Sequence, residues 1–478
     1  MLQLELQSSK KSKKIPGPPI LPVIGSLPFI DKHQYLSFTD LAKKYGDVFQ
    51  VRIFFQPIVI LNGLETIRQA LLKQQEDFAG RPHFFTLLTA IKGRTIGGRD
   101  YSLLWKRHRE IVGNALHMFV NNKKAVIEQQ IIEDSVELAN ILLSYQGKAF
   151  DPELDIGLSV ANVMSKILFG EKYSRNDDDF ITFVKCAHYF SDNSAGNLIA
   201  DFLPQARIFP EQGLQKRQYV LDALERVVLQ KLNDQRTSYN PENMRGVIDA
   251  LIKAATEVDE SEKQNLGLTE DLIVEGTPQE MMGTGLQPSA PLIRWAILYM
   301  VAHPEIQAKV QQELDSVIGR ERSVRFEDRA KLPFTEACIH ELLRHPPHFP
   351  FGLPHATTRD TTIDNYFIPK NTPVIVNLYG LTRDDRYWEE PDQFNPYRFL
   401  TESGEIKEDL LDKYYPFGLG KRRCIGDYLG RLEIFLFFAN LMQKCKFERV
   451  AGEKLNFKGT PGAHVLPESY KVIVQPRF

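Results

Sequence analysis

The stretch Phe417-Gly418-Leu419-Gly420-Lys421-Arg422-Arg423-Cys424-Ile425-Gly426 sets one cysteine in a glycine-rich, cationic turn. A helical pattern follows at once, from Asp427 to about Lys444. Glycines let backbone N–H groups approach the sulfur without a Cβ in the way. Lys421, Arg422 and Arg423, with the positive end of the following helix, favour thiolate over thiol. A lone thiolate without clustered cysteine or histidine partners does not suit zinc, which wants about four ligands. It does suit the axial ligand of a haem.

Other residues have the spacing for chemistry. Glu341 and Arg344, in Glu-Leu-Leu-Arg, lie three apart on one helix face. Taken alone, such a pair is a common surface feature. Trp105 and Arg109 are one helical turn apart, and an indole N–H with a guanidinium can grip a carboxylate. The alternative there is a core tryptophan beside an exposed arginine. A further helical stretch carries Thr284, Gly285, Gln287, Pro288, Ser289 and Pro291 before Trp295. Pro288 has no N–H, so the carbonyl of Thr284 loses its helical partner, and Pro291 does the same to Gln287. A kink with free carbonyls that hold water is predicted. Thr284 and Ser289 offer hydroxyls, and Gln287 offers an amide that orients water but does not titrate.

The elements that must position these groups are mostly helical. Helical patterns run over Val126–Ser144, Gln215–Arg236, Glu270–Met300 and Phe334–Leu343. Residues 47–52 and 57–61 predict two strands with a turn, a β-rich stretch runs from Ala356 to about Val376, and the last residues form short strands. Pro204–Pro210 and Tyr239–Met244 read as loops. The predicted class is mainly α with a small β-subdomain, in two parts: 1–19 a basic tail and proline-rich hinge, and 20–478 a single domain.

Bulk properties exclude several functions. The 478 residues are 43% hydrophobic with a net charge of −2, an ordinary globular balance that argues against nucleic acid as main partner. Cys186, Cys338, Cys424 and Cys445 are spaced too irregularly for a disulfide framework, which points to a reducing compartment. No run approaches the ~20 apolar residues of a membrane span. Lys10, Lys11, Lys13 and Lys14 precede Ile15-Pro16-Gly17-Pro18-Pro19. This is either a solvated tail and a stiff turn or a weak contact to anionic lipid.

The cysteine loop fills every fixed position of F-G-x-G-x-R-x-C-x-G, and the order E-x-x-R, then Pro396-Tyr397-Arg398-Phe399, then that loop, resembles the cytochrome P450 superfamily. The resemblance covers nearly the whole chain from Pro16 onward and implies the cytochrome P450 fold with haem b (iron protoporphyrin IX) on Cys424. It implies a buried supporting network of Glu341, Arg344 and Arg398. It places Trp105, Arg109, Arg81, His355 and Arg422 at the haem propionates. Lys106, Arg107, Lys421 and Arg423 would flank the cysteine side, as a docking face for an acidic electron donor or as a solvated charged face.

Several segments look closest to animal microsomal cytochrome P450 family 1 enzymes, which oxidise flat aromatic compounds and steroids. They are Phe78-Ala79-Gly80-Arg81-Pro82, Val160–Ser165, Pro354–Asp360 and Gly420–Gly426. The resemblance implies electrons from NADPH through cytochrome P450 reductase, with cytochrome b5 as a further partner. It also implies a lipophilic substrate, a monomer, and the cytoplasmic face of the endoplasmic reticulum if the full-length form carries an anchor. Candidate substrate contacts are Phe84, Phe85, Phe190, Thr284, Gly285, Phe351 and Leu353, although the aromatics are equally ordinary core residues. One departure stands out. Where the family carries an acid–alcohol pair that relays protons to dioxygen, this chain has Gln287-Pro288. Relatives lacking the alcohol include hydroperoxide isomerases. Three readings stay open: a reductase-driven monooxygenase, a peroxide-using isomerase, dehydratase or peroxygenase, and a haem-binding protein without turnover.

Overall fold

The computed structural model describes residues 13–192, 198–208, 212–462 and 464–478, with the side chains of 186 and 188–192 not described. The longer helices are α1 (Gln34–Tyr45), α2 (Leu103–Leu143), α3 (Glu153–Phe169), α4 (Asp178–Asp192) and α5 (Gln212–Thr237). They continue as α6 (Val247–Glu257), α7 (Thr277–Ala302), α8 (Pro304–Val317), α9 (Pro333–Arg344) and α10 (Asp427–Lys444). The strands are β1 (Val48–Ile53), β2 (Gln56–Leu61), β3 (His355–Ala356), β4 (Thr361–Ile363), β5 (Tyr366–Ile368), β6 (Pro373–Val376), β7 (Cys445–Arg449) and β8 (Val472–Pro476). The mainly helical class with a small β part holds. The expected loop at 204–210 contains a short 3-10 turn, Pro204–Ile208.

Helix α2 extends well beyond its predicted start and bends at Lys123 (φ −119°, ψ 16°). Ser102 starts it by accepting from the Trp105 N–H. The largest sheet has the order β1-β2-β6-β3, with β2 and β6 parallel and the outer pairs antiparallel. The proline-rich stretch is not a free hinge. The carbonyl of Pro16 accepts from Gln50 N at 2.8 Å, and a Cβ on Gly17 would lie 2.0 Å from the Gln50 carbonyl. Among the described residues no helix is long and apolar enough to cross a membrane.

Helix α7 packs along α3 and also meets α5 and α10. Its prolines do not break it. Pro288 and Pro291 lie inside a continuous helix, and the irregularity sits earlier, as a π turn at Asp271–Gly276. The predicted kink is thereby corrected. Apolar side chains of α7, including Leu286, Leu292 and Trp295, hold the helix by burial although two backbone bonds are missing.

At the end of α9, Glu341 and Arg344 are fully buried and paired at 2.7 and 2.8 Å. Glu341 also accepts from Asn395 N at 2.8 Å and Arg398 Nε at 3.3 Å. Arg344 donates on to the carbonyls of Thr382 and Pro391. Removing one member strands a buried charge. Glu341→Ala should therefore lower stability by about 3–5 kcal/mol, read as a fall in the urea midpoint. A midpoint within error of wild type would refute the coupling.

Candidate active site

The cysteine loop is shaped by glycine. Gly418 and Gly420 have φ of +70° and +63°, and a Cβ on Gly420 would sit 1.9 Å from the Leu71 carbonyl. Cys424 N donates to the Phe417 carbonyl at 2.9 Å. The sulfur lies deep among protein groups yet is open to contact on one side. Burial pushes its pKa up. The Gly426 N–H, Arg109 and Arg423 pull it down, but not enough to win. The sequence expectation that the loop cations dominate is corrected here. Arg423 is tied to Asp427, and Lys421 and Arg423 point outward. The thiolate thus needs the metal, which deprotonates a coordinating thiol outright.

Next to it the fold gathers positive charge. Arg81 is buried and donates to the carbonyls of Gly97 (2.7 Å) and Pro354 (2.8 Å). Arg422 donates to those of Ala79 (2.7 Å), Arg99 (2.9 Å) and Ile96 (3.3 Å). His355 pairs through Nδ1 with the Phe78 carbonyl at 2.8 Å. Arg109 donates to the Arg423 carbonyl. Burial, then mutual repulsion, holds the pKa values of Arg81, Arg422 and His355 below their ordinary ranges. Guanidiniums stay charged in proteins; Asp100 and Glu280 are the carboxylates nearest them, so three arginines leave an excess of positive charge that an anion would offset. None of the three arginines makes a side-chain ion pair among the described residues. A haem, with two propionates, would match that demand, and the open thiol of Cys424 would be the group to hold its iron.

Trp105 plays a different part from the one its spacing suggested. Its indole N–H is spent on the Ile96 carbonyl at 2.9 Å. Its ring instead lies under the Arg422 guanidinium, 4.0 Å from the centroid. Of the flanking basic residues, Lys106 pairs with Glu76 (3.3 Å) and Arg107 with Glu262 (2.6 Å) and Glu110 (3.1 Å). Much of the presumed docking charge is therefore already neutralised.

On α7, Thr284 is exposed and its hydroxyl donates to the Glu280 carbonyl at 2.7 Å. Gly285 does not face the iron side. A Cβ there would meet Met164 of α3 at 2.4 Å, so glycine is needed for helix–helix approach. Gln287 lines a separate cavity between α3, α4 and α7. Ser289 lies beside Glu433, a buried carboxyl whose pKa burial pushes up to about 8. Phe84 packs edge-on to Phe202 and Phe351 against Phe38, both as core rings. Phe85 is part-exposed beneath Arg207, and Leu353 lies near Gly97. The side chain of Phe190 lies outside the described residues.

Sequence reading missed Glu280, whose carboxylate accepts from the N–H groups of Ile96 (2.6 Å) and Gly97 (2.7 Å). The signal was its place one turn before Thr284. Two histidines just after α9 also make side-chain contacts. His345 bridges Tyr299 Oη (2.7 Å) and the Asp392 carbonyl (2.9 Å), and His348 meets His464 edge-on at 4.7 Å.

The family profile described as Cytochrome P450 matches residues 15–474. Among curated proteins the chain is 35% identical over 454 residues to "Cytochrome P450 1A1" of Platichthys flesus, covering 93% of this chain and 87% of that protein. It is 35% identical over 455 residues to "Cytochrome P450 1A1" of Opsanus tau and 34% over 454 residues to "Cytochrome P450 1A3" of Oncorhynchus mykiss, with the same coverage. A thiol poised beside a cluster with excess positive charge, in a chain matched over residues 15–474, leads to one conclusion: this chain belongs to the cytochrome P450 family and is a haem-binding cytochrome P450 monooxygenase.

Proposed function

We propose that the chain inserts one oxygen atom from dioxygen into a lipophilic, planar aromatic or steroid-like molecule, with electrons from NADPH through a reductase. The observation that carries this reading is the pairing of the Cys424 thiol with the cluster of Arg81, Arg109, His355 and Arg422. When bound, the haem supplies oxygen activation, favoured by the electron push of a thiolate ligand. Arg81, Arg109, His355 and Arg422 would hold its propionates, and Trp105 positions Arg422. The likeness to proteins named Cytochrome P450 1A1 supports a flat substrate and a place at the endoplasmic reticulum membrane. Ile20, Leu21, Val23 and Ile24 are exposed and suit peripheral membrane contact. Cytochrome b5 is a further proposed donor.

Proton delivery is where this chain differs. Thr284 presents a hydroxyl one turn before Pro288, whose missing N–H leaves the Thr284 carbonyl free to hold water. Gln287 cannot supply a proton, and its side chain lines the cavity between α3, α4 and α7, which Thr284 does not line. Changing Gln287-Pro288 to Asp-Thr should raise product formed per NADPH by roughly ten-fold, below the ~10²–10⁴ a well-positioned acid can give. Unchanged coupling would count against this account.

The same departure favours a second reading, rearrangement of a hydroperoxide without reductase. Two supplies separate the readings. One is NADPH, reductase, oxygen and a planar aromatic ether; the other is a fatty-acid hydroperoxide alone. Dealkylated product only under the first supports the monooxygenase reading. Fast hydroperoxide loss with an idle first reaction overturns it.

A further inference from the structure

Apart from Gln287, the lining of the cavity of about 330 Å3 between α3, α4 and α7 has no part in the reading above. Leu154, Val184, Ala187, Leu286 and Leu466 make it largely apolar. Neither Cys424, Thr284 nor any member of the cationic cluster lines it.

Its polar residues differ in what they have left to bind. Asp151 is spent: Oδ1 accepts from Glu153 N at 2.9 Å and Oδ2 from the Ser469 hydroxyl at 2.6 Å. Glu153 is half-exposed and sits 3.1 Å from Arg294 Nη1. The donors are not spent. Arg294 is 3% exposed, and its Nε and Nη2 have no partner. A buried donor without an acceptor is costly, and native proteins rarely leave one. Lys185 is exposed and makes no ion pair, and the Gln287 amide makes no hydrogen bond, among the described residues.

We propose that this cavity binds a small amphiphilic monocarboxylate. Its carboxylate sits on the Arg294 guanidinium, whose planar fork matches two carboxylate oxygens, with Lys185 as second cation. Its hydrocarbon lies along Leu154, Val184, Leu286 and Leu466. A single negative charge is selected because Asp151 and Glu153 at the rim repel a dianion. The volume falls within the range of small-ligand pockets, about 300–1,000 Å3. The occupant touches Gln287, Ala290 and Pro291, so it bears on the stretch of α7 that carries Thr284. The proposal is independent of the monooxygenase reading, because it needs no turnover.

The test is calorimetric titration of the haem-loaded protein with octanoate, with octanol as the uncharged control. A bulky azole that ligates the iron is present in a second series, to exclude binding over the haem. Octanoate should bind saturably in both series and at least about ten-fold more tightly than octanol. Arg294→Gln should weaken it by about ten-fold or more, and Lys185→Gln, a surface change that leaves the core intact, by a smaller factor. Circular dichroism and the haem absorption band check that each variant is folded; if Arg294→Gln is not, Lys185→Gln and the octanol ratio decide. Absence of saturable binding, displacement by the azole, equal affinity for octanol, or indifference of the folded variants would overturn the proposal.

Discussion

Replacing Cys424 with alanine abolishes the thiolate-type carbon monoxide band of the haem-loaded protein. No other described thiol can take over. Cys338 and Cys445 are fully buried, and burial raises the pKa of Cys338 well above its ordinary value and that of Cys445 to about 12. Neither lies in a loop that opens on the cationic cluster. Cys424 does, and Gly426 stands beside it, where an added Cβ would come within 3.9 Å of the sulfur. Gly420→Ala is a second probe of the same loop. The left-handed backbone costs a non-glycine residue about 1–2 kcal/mol, and the clash with the Leu71 carbonyl forces the loop to move. The band should weaken or shift to that of a neutral thiol. Carbon monoxide spectroscopy of both variants reads this directly, and a wild-type band in Cys424→Ala would sink the ligand assignment.

Acidification to about pH 5 should unfold the protein, because four histidines are held neutral by their surroundings. Burial lowers the pKa of His108 and His348 to about 4, that of His355 to about 3 and that of His345 to about 2. Nearby guanidiniums add to this: Arg99 at His108, Arg383 and Arg344 at His345, and Arg81 at His355. A base with a depressed folded pKa stabilises the fold fully above its unfolded value of about 6.5. That stability is lost as pH falls below about 6.5 toward the folded values. At about pH 5 each imidazole has forfeited about 2 kcal/mol. Four of them approach the about 5–15 kcal/mol that holds a typical protein together. Urea midpoints measured between pH 7.5 and 5 should drop steeply, and His108→Gln should flatten the curve. A midpoint constant across that interval would show that these imidazoles take up protons without cost.

The cysteine loop was legible because its chemistry is local. Glycines, cations and one thiol within ten residues state the turn and its purpose together. The helix from Asp427 to Lys444 was legible for the same reason, since periodicity and a preceding glycine are short-range signals. The strands at 48–53 and 56–61 followed from β-branched runs with a turn between them. Motif order likewise brought Glu341, Arg344 and Arg398 to one list before any contact was known.

What the fold alone decided were questions of direction and competition. Trp105 carries an indole N–H in any conformation, but only the approach of Ile96 consumes it and turns the ring into a floor for Arg422. Gly285 reads as a residue of the oxygen-side face, yet the packing of α7 on α3 gives it to Met164. Two prolines in six residues predict a kinked helix, and buried neighbours hold α7 continuous instead. The charge of the cysteine loop is the clearest case. Residue types favour the thiolate, but the Arg423–Asp427 pair and desolvation reverse the balance until a metal is bound. The sequence by itself determined which groups exist and which local turns they can form, because those depend on neighbours in the chain. The tertiary structure decided which groups remain free to bind, because hydrogen bonds, burial and charge compensation are settled by residues hundreds of positions apart.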